Sequence, residues 1–248
     1  MKKFGIIGYP LGHSFSANFF NEKFQSEGID ATYLKFEIPR IEDFMEVIDE
    51  NPELCGLNVT IPYKEKVIPY LDELDKNTAR IGAVNVIEVQ HGTKGKVKLI
   101  GHNSDIVGFM NSIQPLLQPH HTKALVLGTG GASKAVFHGL ECLGVKPQLV
   151  SRKKRNDNLL TYAELSAEVM AEHTVIVNTT PLGMSPHVDT CADIPYDLIT
   201  PQHLVYDVVY NPEETLFLHK AAAQGATTKN GLEMLLLQAY AAWDFWNK

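Results

Sequence analysis

The chain has only three cysteines in 248 residues, Cys55, Cys142 and Cys191, far apart and with no C-x-x-C spacing. That excludes a disulfide framework and a cysteine-based zinc site, and it fits a reducing compartment such as the cytoplasm. No apolar run is long enough to span a bilayer, so no membrane partner is expected. The first apolar stretch, Phe4-Gly5-Ile6-Ile7, is broken at once by Gly8, Pro10 and His13, and no small-residue cleavage site follows. It reads as the first strand of a folded domain rather than a signal peptide. Positive charge is also scarce. Lys and Arg number 22 against 29 Asp and Glu, a net charge of −7, which is the wrong sign for a nucleic-acid surface. The one dense basic run, Arg152-Lys153-Lys154-Arg155, is too short to be one. There is no internal repeat, no low-complexity segment and no cluster with metal-ligand spacing, so no metal is expected.

What the chain does have is Leu125-Val126-Leu127-Gly128-Thr129-Gly130-Gly131-Ala132-Ser133. A short apolar run ends in a glycine-rich turn that opens a helix. Glycines let the backbone approach a pyrophosphate, and the free N–H groups of the helix start point at the anion. The third position of the G-x-G-x-x-G pattern is Ser133, which satisfies the need for a small residue in helix–strand packing. The candidate cofactor-binding residues are therefore Gly128, Thr129, Gly130, Gly131, Ala132 and Ser133. About 20 residues later, an NAD site would place a carboxylate on the ribose 2′-OH. Here Ser151, Arg152 and Lys153 stand there, and the first carboxylate is Asp157. A hydroxyl followed by two cations suits a 2′-phosphate, so NADP is the expected cofactor. A solvated basic loop is the plainer reading of the same residues.

Roughly 120 residues precede the turn, enough for a domain of their own. They alternate strands (3–8, 32–37, 56–60) with helices (16–27, 41–51, 72–81) and end in a hairpin, 83–90 with 96–103. After the turn comes a βαβ series with strands at 123–127, 148–151, 175–178 and 204–208. Alternation of this kind implies a parallel sheet covered on both faces. A final amphipathic helix, 231–246, carries Tyr240, Trp243, Phe245 and Trp246. The expected fold is α/β in two domains. Residues 1–103 with 230–248 form an α/β substrate domain, and 104–229 form a Rossmann-type, doubly wound dinucleotide-binding domain. The last helix returns to the first domain.

Three stretches of the first part place polar residues in unusual settings. In Gly8-Tyr9-Pro10-Leu11-Gly12-His13-Ser14-Phe15-Ser16 two hydroxyls lie at a helix start, where N-capping alone would explain them. In Asn58-Val59-Thr60-Ile61-Pro62-Tyr63-Lys64 two polar residues share one face of a buried strand, with a lysine just past its end. Asn103-Ser104-Asp105 is a polar turn between the two parts, where an acid commonly caps a helix.

Taken together and in order, these stretches resemble the shikimate dehydrogenase family. The resemblance extends to Gly82-Ala83-Val84-Asn85, Pro181-Leu182-Gly183-Met184, and residues 207–212 and 231–238, so it covers nearly the whole chain. It implies NADPH-dependent, reversible reduction of 3-dehydroshikimate to shikimate in aromatic amino-acid biosynthesis, by a cytoplasmic monomer or homodimer. It also implies residue roles. Ser14 and Ser16 would hold the substrate carboxylate, with Tyr210 nearby. Asn58, Thr60, Asn85 and Gln238 would bind or orient the ring hydroxyls. Lys64 and Asp105 would be the catalytic pair, Asp105 also binding substrate, and Val208 and Gly231 would approach the nicotinamide. The chain departs from the family pattern at Ala17, Val86, Ser104 and Ile106, which stand where proline, threonine, threonine and glycine are usual. Three other readings stay open on the residues alone: an NAD-dependent quinate/shikimate dehydrogenase, a noncatalytic NADP-binding relative, and a folate-linked dehydrogenase of similar build.

Overall fold

The strand Lys2–Gly8 (β1) sends Phe4 and Ile6 to one side and Ile7 to the other, and all three are buried. A strand apolar on both faces must be covered on both faces, and the first sheet is built that way. The computed structural model describes residues 1–12, 15–154 and 157–247. They divide into two units, one of residues 1–104 with 239–248, the other of residues 105–238.

In the first unit β1 pairs in parallel with β2 (Ala31–Glu37) and β3 (Leu54–Val59). The chain then reverses. β5 (Val86–His91) runs antiparallel to β3, and β6 (Val97–His102) antiparallel to β5. A two-residue strand, β4 (Glu73–Leu74), closes the edge beside β6, giving the order β2-β1-β3-β5-β6-β4. One core lies on one face of the sheet, with Ile7, Leu57, Val59, Ile87 and Val89 packed against helix α2 (Phe44–Glu50). The other face carries an aromatic layer of Phe4, Phe20, Phe24, Tyr33 and Trp246. Phe20 and Phe24 come from helix α1 (Phe15–Glu27).

The expected helix over 72–81 is shorter in fact, Lys76–Ile81 (α3). Asp75 caps it by accepting from the N–H groups of Asn77 and Thr78 at 2.9 and 3.0 Å, so the chain before it is free to pair as β4.

The second unit begins with α4 (Asp105–Ile113) and holds six parallel strands. They are β7 (Lys123–Leu127), β8 (Lys146–Ser151), β9 (Leu159–Thr161), β10 (Val175–Asn178), β11 (Leu204–Asp207) and β12 (Thr227–Lys229). The spatial order is β9-β8-β7-β10-β11-β12. Numbered from β7, this is 3-2-1-4-5-6, the doubly wound dinucleotide order, with its switch point between β7 and β10. The strands bury alternate residues in opposite cores: Leu125, Leu127, Ile176 and Val205 on one side, Val126, Val175, Val177 and Tyr206 on the other. Helices α5 (Gly131–Cys142), α6 (Ala167–Glu172) and α7 (Leu216–Ala222) complete this part.

The last helix, α8 (Leu232–Trp246), contributes to both units. The division falls at 238/239, later than the expected 229/230. The first half of α8 belongs to the second unit because Met234 packs with Phe109 and Tyr206. The backbone of the helix also presses on Gly108 of α4, where a Cβ would stand 2.6 Å from the Met234 carbonyl oxygen. The second half lies in the aromatic layer of the first unit. Trp246 fills the space over Gly56, and its indole Nε1–H donates to the Ile87 carbonyl at 3.0 Å. Trp246→Ala should therefore destabilise the protein by about 3–5 kcal/mol, read as a lowered midpoint in urea unfolding followed by circular dichroism.

Candidate active site

The candidate residues divide between the two units. On the first, a row of buried polar side chains ends the sheet. Asn58, next to last in β3, faces the aromatic layer and is 5% exposed. Its Oδ1 accepts from the Tyr33 hydroxyl at 2.6 Å, and its Nδ2 donates to the Asn85 carbonyl at 3.3 Å. Asn85, just before β5, is held in turn by Ser104. The Ser104 N–H donates to Asn85 Oδ1 at 2.7 Å, and Asn85 Nδ2 donates to Ser104 Oγ at 2.9 Å. Serine in place of the family's usual threonine keeps that hydroxyl. Asn103 is pinned by donation to the Ala83 carbonyl at 2.8 Å. Ser16 lies in the first turn of α1 and is half-buried. Ser14 lies outside the described residues.

Thr60 follows β3 and sets its methyl over Gly8. Its N–H bonds to the Ile7 carbonyl at 3.0 Å. Beyond it, Tyr63 is buried and its hydroxyl donates to the Ile38 carbonyl at 2.6 Å. Lys64 comes next, half-buried, with its own carbonyl accepting from the Val84 N–H at 2.7 Å. The main chain that carries the lysine is thus fixed.

On the second unit, Asp105 is the first residue of α4 and is buried. It shares a helix face with Gly108, three residues on, which meets Met234 and Gln238 of α8. Gln238 is 8% exposed and donates to the Leu235 carbonyl at 2.8 Å. Asp105 and Gln238 therefore belong to one helix crossing, while Lys64 belongs to the first unit.

The glycine turn sits at the switch point. Gly128 has φ +117, a conformation that L side chains rarely adopt, and a Cβ there would also meet Thr179 Oγ1 at 2.7 Å. Gly128 N–H bonds to the Val150 carbonyl at 2.9 Å, which ties the turn to the end of β8. Thr129, Gly131 and Ala132 are half-buried, and the space around the Gly130 α-carbon is open. Among the described residues no side chain caps α5. Ser133 is buried and turns its hydroxyl back to the Gly130 carbonyl at 2.6 Å. Ser151 ends β8, with Arg152 and Lys153 exposed beyond it. Farther along the same sheet edge, the backbones of Val208 and Gly231 meet. Any Cβ at Gly231 would collide with the Val208 carbonyl, and the Gly231 N–H bonds to Val209 at 3.1 Å. Tyr210 is half-buried, and burial raises its phenol pKa.

Three comparisons bear on this arrangement. A family model described as the shikimate dehydrogenase substrate binding domain matches residues 6–87. A shikimate dehydrogenase (NADP(+)) of Desulforamulus reducens is 35% identical over 98% of this chain and 88% of its own length. The chain belongs to the shikimate dehydrogenase family. Among solved structures, a shikimate dehydrogenase from Aquifex aeolicus matches with a TM-score of 0.86 at 36% identity, covering 100% of this chain and 92% of that one. A shikimate 5-dehydrogenase from Thermus thermophilus, in complex with NADP(H) and shikimate, matches with a TM-score of 0.85 at 29% identity, covering 99% and 93%. The two-domain α/β fold is that of shikimate dehydrogenases. Among the described residues, no helix is long and apolar enough to cross a membrane and no cluster could hold a metal ion.

Two polar residues escaped the sequence reading of this shikimate dehydrogenase. One is Tyr33, which looks like an ordinary strand aromatic. The other is Asp207, which ends β11 and is fully buried. Asp207 Oδ1 accepts from Asn178 Nδ2 at 2.9 Å and from the Val209 N–H at 3.0 Å, and its Oδ2 accepts from the Thr215 hydroxyl at 2.6 Å. It thus holds the backbone of the Val208 turn. Desolvation by burial dominates over these three bonds and pushes its pKa up from 3.8 to about 6. A carboxyl that binds its proton more tightly when folded contributes its full stability below about pH 4. That contribution is lost as pH rises through 6, by roughly 3 kcal/mol in all. Asp207→Asn lacks this slope. Between pH 4 and pH 7 the stability of wild type relative to the variant should fall by about that amount in paired urea titrations.

Proposed function

We propose that this chain catalyses the reversible, NADPH-dependent reduction of 3-dehydroshikimate to shikimate, within aromatic amino-acid biosynthesis in the cytoplasm. The observation that carries the reading is the buried polar row of Asn58, Asn85 and Ser104, with Lys64 on main chain that bonds back to Val84, in a chain of this family. Buried amides with fixed partners are suited to recognise a polyhydroxylated ring, because an analogue that lacks a hydroxyl leaves them unpaired.

NADP fits the second unit. The switch point offers the Gly128–Gly131 backbone, Ser133 supports the turn from beneath, and Ser151, Arg152 and Lys153 present a hydroxyl and two cations for a 2′-phosphate. Val208 and Gly231 would border the nicotinamide. The bound cofactor supplies the hydride.

Hydride arriving at the ketone carbon leaves negative charge on the oxygen. The Lys64 ammonium stabilises that charge and donates the proton that completes the alcohol; in the reverse direction the amine takes the proton back. The Asp105 carboxylate accepts a hydrogen bond from a substrate hydroxyl, and Gln238, on the same helix crossing, binds a second one. Ser14 and Ser16 donate to the substrate carboxylate, with Tyr210 beside them. Thr60 and Asn58 fix the ring hydroxyls.

The test is absorbance at 340 nm with purified protein, shikimate or quinate, and NADP or NAD. Shikimate oxidation with NADP is expected, and Lys64→Ala should lower kcat by about 10²–10⁴-fold with NADP still bound. Equal turnover with NAD, or a preference for quinate, would move the chain to the quinate branch. Tight NADP binding without turnover of either substrate would overturn the enzymatic reading.

A further inference from the structure

Tyr33 is 3% exposed, lies in the middle of β2 and takes no part in the chemistry derived above. Its ring stacks on Phe20, with centroids 4.9 Å apart and planes 12° from parallel. Its backbone is clamped by Asn21 of α1, which donates to the Tyr33 carbonyl at 3.0 Å and accepts from the Tyr33 N–H at 2.9 Å. Ring and backbone together hold the hydroxyl against Asn58 Oδ1.

A phenol has one hydrogen to give. Here it goes to Asn58 Oδ1, an atom that can only accept, at 2.6 Å. The other end of the Asn58 amide donates to the Asn85 carbonyl. Turning the amide over would set Oδ1 against that carbonyl, acceptor to acceptor, and would break the short bond that Oδ1 accepts from Tyr33. The Asn85 carbonyl therefore sets the orientation, and the Tyr33 hydroxyl holds the amide in it. The carbonyl oxygen of the side chain is occupied from the Tyr33 side, and the amide meets its surroundings through N–H.

We propose that Tyr33 is a positioning residue for substrate recognition: its buried hydroxyl locks the Asn58 amide in the orientation that presents an N–H donor to a ring hydroxyl of the substrate. The inference rests on the shikimate reading of the site. It assigns specificity to a side chain on β2, two strands away from the Asn58 strand in the sheet order.

Tyr33→Phe removes the hydroxyl and keeps the stacked ring. With the wild type oxidising shikimate, the variant should show a KM for shikimate raised about tenfold, kcat within about threefold, and an unchanged KM for NADP. In an Asn58→Ala background the same change should add almost nothing, since the amide it orients is gone. A lowered melting temperature with all kinetic constants unchanged would make Tyr33 merely structural and overturn the proposal. So would an equal tenfold penalty in the Asn58→Ala background. Absence of turnover in the wild type would strike the shikimate reading instead, before the variant is considered.

Discussion

Parallel strands bring their carboxyl ends to one edge of a sheet, and a sheet buried on both faces leaves that edge as the place where polar groups can gather. In the second unit this edge carries Gly128 after β7, Ser151 at the end of β8, Asn178 at the end of β10 and Asp207 at the end of β11. The first unit obeys the same constraint although one of its strands, β5, runs against the others. Gly8 and Asn58 lie at the ends of β1 and β3. β5 runs the other way, so its contribution, Asn85, stands at its start. β6 turns back again, and Asn103 and Ser104 follow its end. Residues spread over about a hundred positions of sequence are collected by strand direction alone.

Gathering polar groups where water is scarce costs free energy unless each finds a partner. The two units answer this in different ways. In the first, neutral amides and hydroxyls pass hydrogen bonds along a chain from Tyr33 through Asn58 to the Asn85 carbonyl, and the Asn85 amide passes one on to Ser104. In the second, a carboxyl is enclosed with three donors, and they do not fully offset its desolvation. The second arrangement is less stable at neutral pH and gives something in return. A carboxylate that accepts from Val209 and Asn178 at once holds the turn in which the Val208 and Gly231 backbones touch.

What the sequence disclosed, and what it hid, follows from range. Motifs whose parts are contiguous were legible: the strand–glycine turn–helix at 125–136, the Asn58–Lys64 stretch, and the buried apolar strands β1, β7, β10 and β11. Three-residue edge strands such as β9 and β12 carry too few residues to establish a period of two, and α4, α6 and α7 are too short for a helical period to stand out. The halving of α8 between the units was hidden as well, since Met234 and Trp246 are both ordinary apolar residues of one helix. Tyr33 sits in an unremarkable alternation, and its role arises from pairing with a residue 25 positions away. Asp207 reads as a strand end until three donors are seen around it.

The basic loop after β8 shows the same limit at its sharpest. In the sequence Arg152, Lys153 and Lys154 are one run of like charge. In the fold they are not equivalent. Lys154 reaches Glu164 at 2.6 Å, and that hydrogen bond, with two more from Thr161, holds the Glu164 carboxyl down at about 2. Lys154 is therefore tied to a carboxylate at every pH at which the protein would work, and its field is largely cancelled a few ångströms away. Among the described residues, Arg152 and Lys153 are left as the exposed cations just past the end of β8. A guanidinium offers a phosphate a planar fork of donors, which an ammonium cannot match. On the proposed NADP reading, preference for the 2′-phosphate would then depend more on that one guanidinium than on the size of the positive run.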